Sequence, residues 1–199
     1  MWVGKMERER ERGEKREKER EEEERIEERK EEREEEREEE EKLIGRLKWG
    51  YTRINELKQL YTEVLKEGVK GLSAKIETSN LMLTAEIHLP ENSGTISFDV
   101  AYTENGLKLV GYTIDLKDLL IVYSSAGSTL MVKDQYETWV GTNIEEPSSV
   151  SLSDRQFITH LLTTLALHAL SNTDMPMHIA NEHLWRLAEL ERKLFPLSS

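Results

Sequence analysis

Residues 7–42 contain 21 Glu, nine Arg and four Lys, interrupted only by Gly13 and Ile26. Such a segment has almost nothing to bury. It either stays unfolded or forms a helix that needs no core. Pro, Ser, Asp and Asn are absent from it, and Glu, Arg and Lys are all good helix formers. The arginines recur in steps of four at Arg8, Arg12, Arg16 and Arg20, and again at Arg25, Arg29, Arg33 and Arg37. On a helix that spacing makes a slowly winding ridge with glutamates one turn away, such as Glu21 and Glu22 near Arg25, Glu32 near Arg29 and Glu34 near Arg37. Each pair contributes about 0.2–0.5 kcal/mol. The expectation is a solvated helix, about 54 Å long at 1.5 Å per residue and frayed near Gly13, where glycine and the Glu repeats oppose it. A disordered tail and a coiled coil are the alternatives.

Apolar residues return in a regular series. Leu43, Leu47, Gly50, Ile54, Leu57, Tyr61 and Val64 are separated by alternating steps of four and three, the spacing of a heptad seam. Counting back by sevens from Leu47 meets Glu40, Arg33 and then Ile26, so the one apolar residue of the charged run falls in register. Two outcomes fit: the stripe packs on the chain's own sheet, or it pairs with another helix. Gly50, with no side chain to fill the seam, weighs against a strong coiled coil. The expected interaction face is Leu43, Leu47, Ile54, Leu57, Tyr61 and Val64.

The rest of the chain reads as α+β. Gly68 or Gly71 is expected to cap the long helix. Leu81, Leu83, Ala85, Ile87 and Leu89 alternate with Met82, Thr84, Glu86 and His88, and Ile96, Phe98, Val100 and Tyr102 alternate next, the pattern of half-buried strands. Asn105-Gly106 signals a two-residue hairpin, which would set Tyr102 opposite Leu109, Val100 opposite Gly111 and Phe98 opposite Thr113. The returning strand then shows Val110, Tyr112 and Ile114 on its other side and is apolar on both faces, which calls for a second covering layer. Residues 119–123, 129–132 and 136–140 read as shorter strands. With short connections the sheet, about five to seven strands, should be antiparallel. Two helices follow: one opened by a capping box of Ser153 and Gln156, one capped by Thr173 or Asp174, with a stripe of Ile179, Leu184, Leu187, Leu190 and Leu194 and an end at Pro196. The domains are therefore 1–42, a charged helix, and 43–199, one α+β unit.

Charge limits the function classes. The net charge is −12, of which residues 7–42 carry −8 (21 acids against 13 bases), leaving the remaining 163 residues near balance. A phosphate-backbone binder needs a clustered basic face, so nucleic acid is not an expected partner. The absence of cysteine excludes disulfides, thiolate zinc sites and a thiol nucleophile. No apolar run reaches the length of a membrane span, and the first residues lack a signal-peptide core; the expected location is cytoplasmic or intravirion.

Several residue groups resemble sites without completing one. His160 and His168 lie two turns apart, whereas a helical metal pair needs a four-residue step. Asp174, His178 and Glu182 share a helix start, but two ligands on one helix define no site. Glu86, His88 and Asp99 share a sheet face by alternation, which is more often solvated than catalytic. The run Ser124–Thr129 lacks the Lys of a phosphate loop and reads as a turn. Trp139 takes the outward parity of its strand if Tyr136, Thr138 and Val140 face in. No catalytic, cofactor or metal residue is assigned. The expected function is a structural or protein-interaction protein, with an extended charged helix as spacer on an α+β binding module and a protein partner or a second copy as its target. The alternative is a small-ligand-binding domain or small enzyme with the helix as a solubility appendage.

Overall fold

Every amphipathic element of the globular part turns its apolar side to one face of a single sheet. The computed structural model describes residues 3–67, 73–147 and 152–195. Helix α1 (Val3–Lys66) leads into seven strands, β1 (Ser73–Ser79), β2 (Met82–His88), β3 (Gly94–Thr103), β4 (Gly106–Leu116), β5 (Leu119–Ser124), β6 (Thr129–Asp134) and β7 (Thr138–Thr142). A one-turn helix α2 (Arg155–Thr159) then opens α3 (Leu161–Ser171), and α4 (Met177–Leu194) follows. The strands form one antiparallel sheet in sequence order. The chain divides into two compact units, Met1–Lys48 and Trp49–Ser199.

Within the second unit the core is built by parity. Leu83, Ala85 and Ile87 of β2, Ile96, Phe98 and Val100 of β3, Leu119, Ile121 and Tyr123 of β5, and Leu130 and Val132 of β6 are all buried. Ile54, Leu57, Tyr61, Val64 and Leu65 of α1 are buried with them. Tyr61 meets Phe98 edge-on at 5.3 Å between ring centres. Its hydroxyl donates to the Leu152 carbonyl at 2.7 Å, satisfying the polar end of a wholly buried side chain. Residues Leu161, Leu162, Leu165, Ala166 and Ala169 of α3 pack into the same core.

The β3–β4 hairpin differs from its sequence-based register. The turn residues are Glu104 and Asn105, with Thr103 paired to Gly106 and Tyr102 to Leu107. Gly106 takes φ +106° directly after the turn, and the Thr103 hydroxyl donates to the Gly106 carbonyl at 3.0 Å. The pairing then shifts: Val100 faces Leu109, but Asp99 faces Gly111 and Phe98 faces Tyr112. Val110 is the extra residue of a β-bulge. A bulge reverses the parity of all that follows it, so Leu109, Tyr112 and Ile114 all lie on the core face and all are buried. The expected second apolar face of this strand is thereby corrected; one helical layer suffices. The opposite face carries Lys75, Glu77, Thr84, His88, Asp115 and Lys133, all exposed. Toward β7 it carries the cross-strand row Val122, Met131 and Val140.

Helix starts also differ from expectation. Asp154, not Ser153, is the N-cap of α2, its carboxylate accepting from the Gln156 amide at 2.8 Å. The N-cap position of α4 is Pro176, so neither Thr173 nor Asp174 caps it; proline at a helix start sacrifices no intrahelical bond. The expected caps at Gly68 and Gly71 and the stop at Pro196 lie outside the described residues.

Two glycines of α1 predict opposite outcomes. A Cβ on Gly50 would lie 2.4 Å from the Tyr102 ring, whereas one on Gly45 would meet nothing within 4 Å. Gly50→Ala is expected to destabilise the globular unit by about 1–3 kcal/mol through overpacking, measured by urea unfolding followed by tryptophan fluorescence. Gly45→Ala is expected to favour the helix by about 1 kcal/mol, read as increased ellipticity at 222 nm.

Candidate functional site

The expected interaction face separates into two groups. Ile54, Leu57, Tyr61 and Val64 are core residues, at most 5% exposed. They serve the chain's own sheet, which removes them from any interface. Leu43 and Leu47 are 56% and 40% exposed, and their neighbour Ile44 is 43% exposed. In the first unit every residue of the stretch 20–48 is exposed, and Ile26, Leu43, Ile44 and Leu47 are its only large apolar side chains. The helix here is stabilised locally, as by the Glu38–Lys42 pair at 3.6 Å. The side chains of Arg8 and Arg12, expected to start the arginine ridge, lie outside the described residues.

Two clefts of the second unit have linings that could take a ligand. The first, of about 400 Å³, is lined by Trp49, Arg53, Tyr102, Leu107, Glu146 and Pro147, among others. Trp49 and Tyr102 meet edge-on at 5.3 Å. The Arg53 guanidinium lies 5.7 Å from the Trp49 ring centre and binds Glu56 at 2.6 Å. Glu146 is likewise paired with Lys108 at 2.6 Å. Both charges are answered within the protein, so the cleft is an aromatic groove with little net field.

The second cleft, of about 520 Å³, is lined by His160, Thr163, Thr164, His168, Ser171 and Asn172 with the Glu145–Pro147 segment. His168 uses both ring nitrogens internally. Nε2 lies 2.6 Å from the Glu145 carbonyl, which can only accept; Nε2 therefore carries the proton, and Nδ1 accepts from the Tyr112 hydroxyl at 2.5 Å. Tyr112 and Tyr123 pack edge-on around the ring. Burial pushes the His168 pKa below its ordinary value, against the opposing effect of the Glu145 carbonyl. Burial likewise raises Tyr112, with Tyr123 adding to it. His168 is thus a neutral structural group. His160 is different: half-exposed, it is held through Nδ1 by the buried Glu191 carboxylate at 2.5 Å, leaving Nε2 as the nitrogen not engaged by Glu191.

A further buried pair joins His183 of α4 to Asp134 at 3.5 Å. Asp134 also accepts the amides of Tyr136 and Glu137 at 2.7 and 2.8 Å. Burial alone would raise its pKa; these two amides and His183 outweigh that and hold it below the usual carboxylate range.

The other candidates do not assemble. Asp174, His178 and Glu182 are all exposed, and among the described residues no three His, Asp or Glu side chains form a metal-binding group. His88 lies 3.3 Å from Glu86, but Asp99 sits opposite Thr84, which donates to it at 2.7 Å. Residues 125–128 form the β5–β6 turn, closed by the Ser128 amide on the Ser125 carbonyl. Trp139 is opposite Val132 on the core side, and Val140 points outward, reversing the expected parity. Reasoning from sequence missed Glu191, His183 and Tyr112. The available signal was the spacing of Ala180, His183, Leu187, Glu191 and Leu194, a helical stripe with two polar members, all buried.

No protein-family model, no curated protein and no solved structure matches this chain.

The His168 cluster predicts an acid-sensitive fold. Its folded pKa is depressed below 6.5. As pH falls through 6.5 the unfolded chain takes up a proton that the folded state refuses, so stability is full above 6.5 and declines below it. Melting temperatures measured from pH 7.5 to 5.5 should fall, and His168→Gln should flatten that slope. Tyr112→Phe should cost about 1–2 kcal/mol by stranding Nδ1 without its donor.

Proposed function

We propose that this chain is a structural or protein-assembly protein, in which the charged helix is a solvated spacer and the α+β unit a binding module. The observation that carries this reading is the exposure of Leu43, Ile44 and Leu47 on a helix that is otherwise charged. Apolar side chains at heptad spacing in water are what a helical partner covers. The charged run keeps such a helix soluble and straight without a core. The seam residues from Ile54 onward are consumed by the sheet of their own unit, whereas Leu43, Ile44 and Leu47 stay exposed.

A second reading, ligand binding, is favoured by one observation: Glu191 is buried yet spends its carboxylate on His160, a half-exposed residue in a polar cleft. A carboxylate that fixes an imidazole is a common way to present a base or hydrogen-bond acceptor. The Ser171 hydroxyl of the cleft is bonded to backbone carbonyls rather than to His160, no metal-binding group forms among the described residues, and this reading ranks second.

Nuclear magnetic resonance of the full chain tests the first reading. Helical Cα shifts are expected over residues 15–42; random-coil shifts there would end the spacer proposal. The double substitution Leu43→Glu and Leu47→Glu should abolish association without lowering the melting temperature, since neither residue is in the core. A fall of several degrees would make both residues structural instead.

A further inference from the structure

We propose that the occupant of the charged helix is a second copy of the same chain, paired antiparallel along residues 26–43. The inference rests on the assembly reading above and names its partner. Carried back from Leu47, the heptad places Ile26, Arg29, Arg33, Glu36, Glu40 and Leu43 on one seam, in steps of three and four. The structure has this whole stretch helical and all six side chains exposed. Along the seam the order of chemistry is apolar, basic, basic, acidic, acidic, apolar. Reversed, it is its own complement.

An antiparallel partner therefore meets matching groups at every layer. Ile26 faces Leu43 of the second copy, Arg29 faces Glu40, and Arg33 faces Glu36, and the twofold axis repeats each contact. Two apolar layers thus bracket four Arg–Glu layers. A parallel partner would set Arg29 on Arg29, Arg33 on Arg33, Glu36 on Glu36 and Glu40 on Glu40, four like-charge layers in succession. Charge complementarity along the seam selects the antiparallel second copy and rejects the parallel one. Outside the seam, the antiparallel arrangement brings Lys30 toward Arg37 and Glu32 toward Glu39. These side chains stay in water, where screening leaves them a small effect. They make the dimer weak and reversible, and leave orientation to the seam. The Glu38–Lys42 pair lies on the outer side of the helix and is untouched by pairing.

The chain lends itself to a decisive test. Sedimentation velocity across a concentration series should find a monomer–dimer equilibrium. The double variant Arg29→Glu with Arg33→Glu makes every charged layer acidic, and Glu36→Arg with Glu40→Arg makes every one basic. Each should weaken the dimer about tenfold or more, with helicity at 222 nm retained. The fourfold variant R29E/R33E/E36R/E40R regenerates the complementary order and should restore the dimer. Orientation follows from the cysteine-free background. A mixture of Ile26→Cys and Leu43→Cys chains should form disulfide-linked heterodimers on oxidation, whereas Ile26→Cys alone should not crosslink. A monomer at every concentration, self-crosslinking of Ile26→Cys, or a fourfold variant that stays monomeric would each overturn the pairing. A helical monomer whose Leu43 and Leu47 substitutions still abolish binding to another protein would overturn the pairing and leave the assembly reading standing. Random-coil shifts over residues 15–42 would overturn both.

Discussion

The globular unit depends on a sheet that can bury only one face. Its outward residues over β1–β4 are mostly charged or hydroxylated, Met82 and Ala101 excepted, so every apolar helix face must find the other side. That constraint explains why Tyr61 of α1 and Leu165 of α3, remote in sequence, share one core. It also explains the polar groups buried among them. A large phenol in a one-sided core must find an acceptor: Tyr61 reaches the Leu152 carbonyl and Tyr112 the His168 ring. The histidine cluster is thus a consequence of filling the space between sheet and α3 with aromatics whose polar ends have to be satisfied.

Two kinds of helix stabilisation operate in α1. Residues 20–48 are exposed throughout, and their helicity rests on propensity and pairs between neighbouring turns. Residues 50–65 bury Gly50, Ile54, Leu57, Tyr61, Val64 and Leu65, and there burial dominates. Substitutions in the two stretches should act on different quantities, local helicity in one and global unfolding in the other. The heptad period runs through both, but only in the second stretch is it answered within the chain.

Much of the architecture was legible because period and turn chemistry were strong. Alternation at Leu83–Ile87 and Ile96–Val100 identified β2 and β3, and short connections implied antiparallel pairing. The register of β4 was not legible, since a bulge residue such as Val110 looks like any other strand valine; its position depends on hydrogen bonding across strands. Cap positions at Asp154 and Pro176 were missed by one to three residues, because Ser153, Thr173 and Asp174 carry equally good capping chemistry. In α4 the stripe of Leu184, Leu187 and Leu190 hid the true buried line through His183 and Glu191. Hydrophobicity ranks those two as surface residues, and only their partners, Asp134 and His160, make burial tolerable. The exposed Leu43–Leu47 turn was foreseen as part of a continuous seam; where that seam leaves the core depends on which helix residues the sheet reaches, a tertiary fact.

The bulge at Val110 acts as a phase corrector. Before it, odd-numbered residues of β4 face the core; after it, even-numbered ones do. A one-residue deletion beyond the bulge, at Thr113, would invert Ile114 and Leu116 relative to Leu107, Leu109 and Tyr112, and would carry the error into β5 through the pair of Ile114 with Ile121, whereas deleting Val110 itself would remove only the extra residue and keep Leu109, Tyr112 and Ile114 on one face. A deletion two residues long in the same strand would preserve phase. Away from the bulge, length variation in this strand is therefore quantised: tolerance of an insertion or deletion depends on whether its length is odd or even before it depends on which amino acids are involved.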